Sequence, residues 1–189
     1  MSEASTPQRI LTAWRELAAF VFAAVTIVLA AGLFFIDPVM IRILHIGLGF
    51  MMLFAMQATA PERTGRIIGV LGMIAIVPVT VYAFHFYPIS YKYVGLPPST
   101  LEIVLGATAI ALSLIAAWRV AGLSIPLIAI AFIAYTLAGS ALPAPFTHAG
   151  LSLTQIVQGL YVTGRGIYGS ITGVSANYIV LFVIFAAYL

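Results

Sequence analysis

The stretch RIIGVLGMIAIVPVTVYAFHFYP, Arg66–Pro88, holds no Asp, Glu or Lys, and its only Arg is the one that opens it. A helix crossing the roughly 30 Å hydrocarbon core of a bilayer needs about 20 apolar residues, and Ile67–Tyr87 meets that length. Pro78 lies inside the run, which membrane helices tolerate better than soluble ones. Similar runs lie on both sides. Leu17–Ile36 sits between Glu16 and Asp37, Ile43–Ala60 between Arg42 and PERTGR, and Ile103–Trp118 between Glu102 and Arg119. Val120–Leu142 follows almost at once, with Pro126 near its start. A last run, Val174–Leu189, spans about 24 Å at 1.5 Å per residue and has no charged residue to close it. The expected fold is all-α: a polytopic membrane protein with five transmembrane helices, an interfacial helix and an incomplete sixth span.

Composition points the same way. Hydrophobic residues make up 63% of the chain and charged residues 7%, against roughly 25% charged in soluble domains. The net charge of +3 comes from only eight basic and five acidic residues, too sparse for a nucleic-acid footprint. No cysteine is present, which excludes disulfides, thiolate metal sites and cysteine nucleophiles. The start, MSEASTPQRILTAWRE, is polar and lacks the apolar core and cleavage site of a signal peptide, so no processing is expected. An inside N-terminus puts Arg9, Arg15, Arg63, Arg66 and Arg119 in the cytoplasm, and leaves Arg42 and Lys92 outside with Arg165 near that face.

Between the spans, STLE (Ser99–Glu102) and SLTQ (Ser152–Gln155) both fit the capping box, in which two side chains satisfy orphan amides at a helix start. After the second box, Leu153, Ile156, Val157, Leu160 and Tyr161 form one apolar stripe at helical spacing, opposite Thr154, Gln155 and Gln158. That pattern suits a short helix lying in the membrane interface.

The chemistry-bearing residues are few. GRGIYG (Gly164–Gly169) matches G-x-G-x-x-G in letters only, because no strand precedes it and no acid follows. Its glycines better suit a break or a close helix approach. An acid inside a membrane is a functional hypothesis by default, but Glu102 stands at the third position of a capping box. His45 opens the second span and His85 closes the third, at similar depth, and His148 lies in a loop. Facing imidazoles of that kind can ligate haem or a metal, although lone interfacial histidines also serve as anchors. Asp37 belongs to an Asp-Pro turn. Gln57, Thr80 and Asn177 are polar groups of the kind that bond across helices. No nucleophile constellation is visible, and no enzyme is expected.

Three longer segments carry a family likeness. They are GLPPSTLEIVLG from Gly95, AAWRVAGLSIPLIAIAFIAYTLAG, and LPAPFTHAGLSLTQIVQGLYVTGRGIYGSITGVSANYIVLFVIFAAYL from Leu142. Together they resemble the fused membrane subunit of TRAP (tripartite ATP-independent periplasmic) transporters of the TAXI type. The most specific piece is Gly166–Gly169 with Gly173–Ala176 and the aromatic-rich run after it. The family pattern has Glu where Arg165 stands, Asp where Glu102 stands, and a proline near Ile171. The resemblance implies four regions: a cytoplasmic tail (1–16), a five-helix membrane scaffold like the small subunit (17–142), a loop with an interfacial helix (143–170), and the opening of a large transport domain (171–189). It also implies sodium as coupling ion, a periplasmic substrate-binding protein that delivers organic acids or similar carboxylates, and residence in the bacterial inner membrane. Substrate contacts would lie in a transport domain beyond Leu189, so none falls on residues of this chain, which is expected to be inactive alone. The alternative is a small redox membrane protein with haem or metal on His45 and His85.

Overall fold

The computed structural model describes residues 6–32, 34–88 and 96–189. Lys92 and its place in the charge balance lie outside them. The described residues are helical, with no strand among them. The helices are α1 (Thr6–Ala30), α2 (Pro38–Ala58), α3 (Arg63–Phe86), α4 (Thr100–Ala121), α5 (Ser124–Ala138), α6 (Leu153–Val157), α7 (Ser170–Val174) and α8 (Val180–Tyr188). α6 continues into a π-helical turn at Gln158–Val162, and a second π-helical turn, Ser175–Ile179, joins α7 to α8.

Four helices are long and apolar enough to cross a membrane: Arg9–Ala30, Pro38–Ala58, Arg63–Phe86 and Thr100–Ala121. The first four expected spans overlap them, the first with a shift: α1 takes in Arg9, Arg15 and Glu16 and ends at Ala30, six residues before Ile36. The expected fifth, Val120–Leu142, is shorter than its sequence suggests. Gly122 adopts φ +80° and its N–H bonds to the Trp118 carbonyl, ending α4. Gly139, at φ +41°, then ends α5 after 15 residues. Both glycines occupy the left-handed region that other residues reach only at a cost, so one apolar run in the sequence becomes a helix end, a break and a short helix. The last run folds as α7, the π turn and α8.

The chain forms two compact units. The first comprises Met1–Pro88 with Tyr168–Leu189, and its core is the α2–α3 pair. Lipid tails are as apolar as leucine, so membrane helices gain most where small residues let backbones approach closely. Gly72 faces the fully buried Phe54 ring, Gly47 faces the Thr80 side chain, and Gly69 lies against the backbone of Gln57 and Ala58. A Cβ at any of the three would overlap its neighbour. The Asp-Pro turn forms as read: Pro38 opens α2, and Asp37 Oδ1 accepts a hydrogen bond from Val39 N at 2.7 Å.

The second unit, Ile89–Ile167, holds α4, α5 and α6. Both capping boxes are present. Ser99 N donates to Glu102 Oε2 at 2.5 Å and Glu102 N to Ser99 Oγ at 3.3 Å, with the equivalent pair at Ser152 and Gln155. Glu102 is buried, its carboxylate held by this cap. Part of the apolar stripe after Ser152 turns inward: Ile156, Val157 and Tyr161 are buried, Val157 and Tyr161 close over Gly106 of α4, and Leu153 stays exposed. The absent side chain at Gly106 makes the notch that receives them. Past α5, the loop returns on itself. Gly139 and Gly150 meet backbone to backbone, and Leu151 N donates to the Thr136 carbonyl at 3.0 Å.

Candidate functional site

A polar cluster in the first unit sits where α2 meets the Tyr168–Ile179 segment. Arg42 and His45 are three residues apart on α2 and therefore neighbours on one helix face. Arg42 Nη1 donates to the Tyr168 carbonyl at 3.4 Å. Its guanidinium lies against Gly173, where an added Cβ would come within 2.8 Å of Nε. One turn on, His45 Nε2 shares a hydrogen bond with Ser175 Oγ at 3.1 Å, and its ring tilts against Phe22 of α1 with centroids 5.4 Å apart. His45 thus ties three elements together. Arg42, Gly173 and Ser175 do so only because the glycine leaves room and the serine supplies an oxygen.

Two polar atoms here are buried without a hydrogen-bond partner, Arg42 Nε and His45 Nδ1. Such orphans are uncommon, since a buried donor or acceptor left unmade forfeits the hydration it had in water. His45 also lines a small, partly open cavity of about 10 Å³ together with Thr26 of α1 and Ala176 of the π turn. That is close to the smallest space that holds one water. Thr26 Oγ1 donates to the Phe22 carbonyl at 2.6 Å.

Charge gathers at the same end of the unit. The Tyr87 hydroxyl, just past α3, is pushed up from its ordinary pKa by desolvation first and then by the Asp37 carboxylate, with Arg42 acting in the opposite sense. The buried Tyr168 hydroxyl is pushed up strongly by desolvation. No group of three His, Cys, Asp or Glu that could hold a metal occurs among the described residues.

Of the two histidines singled out in the sequence, His45 is taken up by Phe22 and Ser175, whereas His85 is exposed near the end of α3. His148 belongs to the loop after α5. Its Nε2 contacts the Tyr135 carbonyl at 3.1 Å and its Nδ1 accepts from Gly150 N at 3.0 Å. This pairing fixes the neutral tautomer with the proton on Nε2 and makes His148 a strut of that loop. Compared with family models, curated proteins and solved structures, the chain matches none. Sequence reasoning passed over Arg42, counted only for topology, and Ser175, seen only as part of a motif. The signal available was the three-residue spacing of Arg42 and His45 inside an otherwise apolar helix.

Ser175 Oγ and His45 Nε2 pair a hydroxyl with an imidazole, but the other ring nitrogen, Nδ1, has no partner to orient it as a base. What it can do is hold a helix in place. Its hydrogen bonds join α2 to a segment that enters through a glycine-rich turn and is interrupted by a π turn, a feature often found where helices serve function.

Proposed function

We propose that this chain is a membrane component of a sodium-coupled, binding-protein-dependent secondary transporter of the TRAP type. In this reading it works in the bacterial inner membrane with its N-terminus in the cytoplasm. α1–α4 form the fixed scaffold, α5 with the turn after it makes a fifth crossing, and Ser170–Tyr188 is the first helix of the transport domain. Sodium and the carboxylate solute bind elsewhere in the assembly, and a periplasmic binding protein supplies the solute. The observation that carries the reading is the seat of the Tyr168–Ile179 segment on α2, where Arg42 and His45 grip a helix interrupted by a π turn. A scaffold that braces a moving domain needs such a specific polar attachment within lipid, where interhelical hydrogen bonds contribute about 0.6 kcal/mol each.

The test is reconstitution. In proteoliposomes with an inward sodium gradient, the chain alone should take up no labelled carboxylate. Cells deleted for it should lose sodium-dependent uptake of at least one carboxylate, regained on complementation with the parent gene. Uptake by the chain alone would refute the scaffold role, and a deletion strain with unchanged uptake across a carboxylate panel would refute the transport role.

A further inference from the structure

At the start of α3, Arg63, Arg66, Ile67, Val70 and Leu71 line an open groove of about 310 Å³. These positions follow helical spacing and share one face of α3. Gly65, Gly69 and Gly72 occupy a different, buried face, of which Gly69 and Gly72 pack on α2. The groove face continues down the helix as an exposed apolar track, with Ile67, Leu71 and Ile74 at 50%, 61% and 65% exposure. Two guanidiniums therefore stand at the head of an apolar track that runs into the most hydropathic of the four long helices. The nearest carboxylate in sequence, Glu62, folds toward Gly65 on the buried side and does not line the groove.

We propose that this groove is a binding site for an anionic phospholipid, with the phosphate on Arg63 and Arg66 and an acyl chain along Ile67, Leu71 and Ile74. Charge complementarity selects the occupant. A zwitterionic lipid offers the same acyl chain, but its cationic headgroup opposes the two arginines. A soluble anion has nothing to place on the apolar track. Guanidinium binds phosphate through paired N–H groups, a geometry lysine does not supply. The site is independent of the transporter reading, because it needs only the α3 face and a bilayer.

The test uses the full chain purified in mild detergent, with phosphatidylglycerol or phosphatidylcholine of identical acyl chains added, and lipid retention read by native mass spectrometry. Phosphatidylglycerol should be retained in preference. R63Q/R66Q should lower its retention on the order of tenfold, while R9Q/R15Q, which removes the same charge elsewhere, should leave it unchanged. Leu71→Ser should lower retention with both arginines intact, and inorganic phosphate should not displace the lipid. Equal retention of the two lipids, equal loss in the two double variants, or displacement by inorganic phosphate overturns the proposal. Arg63 is exposed, so R63Q alone keeps the test decisive if the double variant does not fold, as judged by circular dichroism.

Discussion

Replacing Gly69 by alanine adds one methyl group at the tightest point of the α2–α3 crossing. An ideal Cβ there would lie 2.6 Å from both Ala58 Cα and the Gln57 carbonyl carbon, against roughly 3.5–4.0 Å for carbon atoms in good contact. Backbone cannot swing aside as a side chain can, so the helices must part by about 1 Å. A gap of 0.5–1 Å costs facing atoms a quarter to a half of their attraction. The neighbours that lose it, Phe54, Ala55 and Val79, are almost fully buried. Overpacking of this kind costs about 1–3 kcal/mol, and the better helix propensity of alanine returns up to about 1 kcal/mol. A net loss of about 1–2 kcal/mol is expected, a factor of 5–30 in the folded-to-unfolded ratio. The assay is reversible unfolding in mixed micelles with increasing SDS, followed by circular dichroism. Gly159→Ala is the control, since nothing lies within 4 Å of a Cβ at that site. Its helix should hold or gain stability. If G69A is as stable as the parent, the close approach of α2 and α3 is refuted.

Other substitutions probe separate parts of the molecule. Ser99→Ala removes half of the first capping box and should destabilise the start of α4 by about 1 kcal/mol, seen as faster amide exchange at residues 100–103. Val157→Ala empties the notch over Gly106 and should cost about 1.5–2 kcal/mol at about 0.8 kcal/mol per buried methylene, measured by the same SDS titration. Ser175→Ala strips His45 Nε2 of its partner and should cost about 0.6 kcal/mol, at most about 1.7; protease cleavage near Gly164–Gly169 should rise with it. Tyr168 gives a pH test. Its folded pKa is raised, so both states are neutral well below the ordinary tyrosine value. Above that value the unfolded chain ionises and the folded chain resists. Stability should therefore fall as pH rises through about 10 and beyond, and Tyr168→Phe should remove part of that fall. An unchanged alkaline profile in Y168F would place the hydroxyl in contact with water.

Much of the helical framework is legible because bilayer length and charge placement act on runs of residues. Glu16, Asp37, Arg42, Glu102 and Arg119 bracket apolar segments, and four of those segments became long helices. Caps were legible for a similar reason: Ser99 with Glu102, and Ser152 with Gln155, each carry both halves of a local exchange. What failed to show was any feature set by a partner distant in sequence. The stripe from Leu153 to Tyr161 has the period of an interfacial helix, and only the notch at Gly106 shows that Val157 and Tyr161 pack against α4. Gly122 and Gly139 read as ordinary small residues until their positive φ divides the fifth run. At the candidate site, His45 stood out by residue type. Its partners Phe22 and Ser175 lie on other helices, and no local pattern announces them.

The π turn at Ser175–Ile179 has one more consequence. Widening the winding from i→i+4 to i→i+5 inserts one residue without breaking the helix, which offsets everything after it by about 100° around the axis. α8 therefore presents a different side to its surroundings than the phase of α7 would dictate. Deleting one residue within 176–179, which spares Ser175, would let the helix close to regular α winding and keep its length almost unchanged. Phe182 and Phe185, now exposed, would rotate toward a new direction while Arg42 kept its contacts at Tyr168 and Gly173 and His45 its bond to Ser175. A one-residue indel at this position acts as a rotary setting for α8, separable from its attachment.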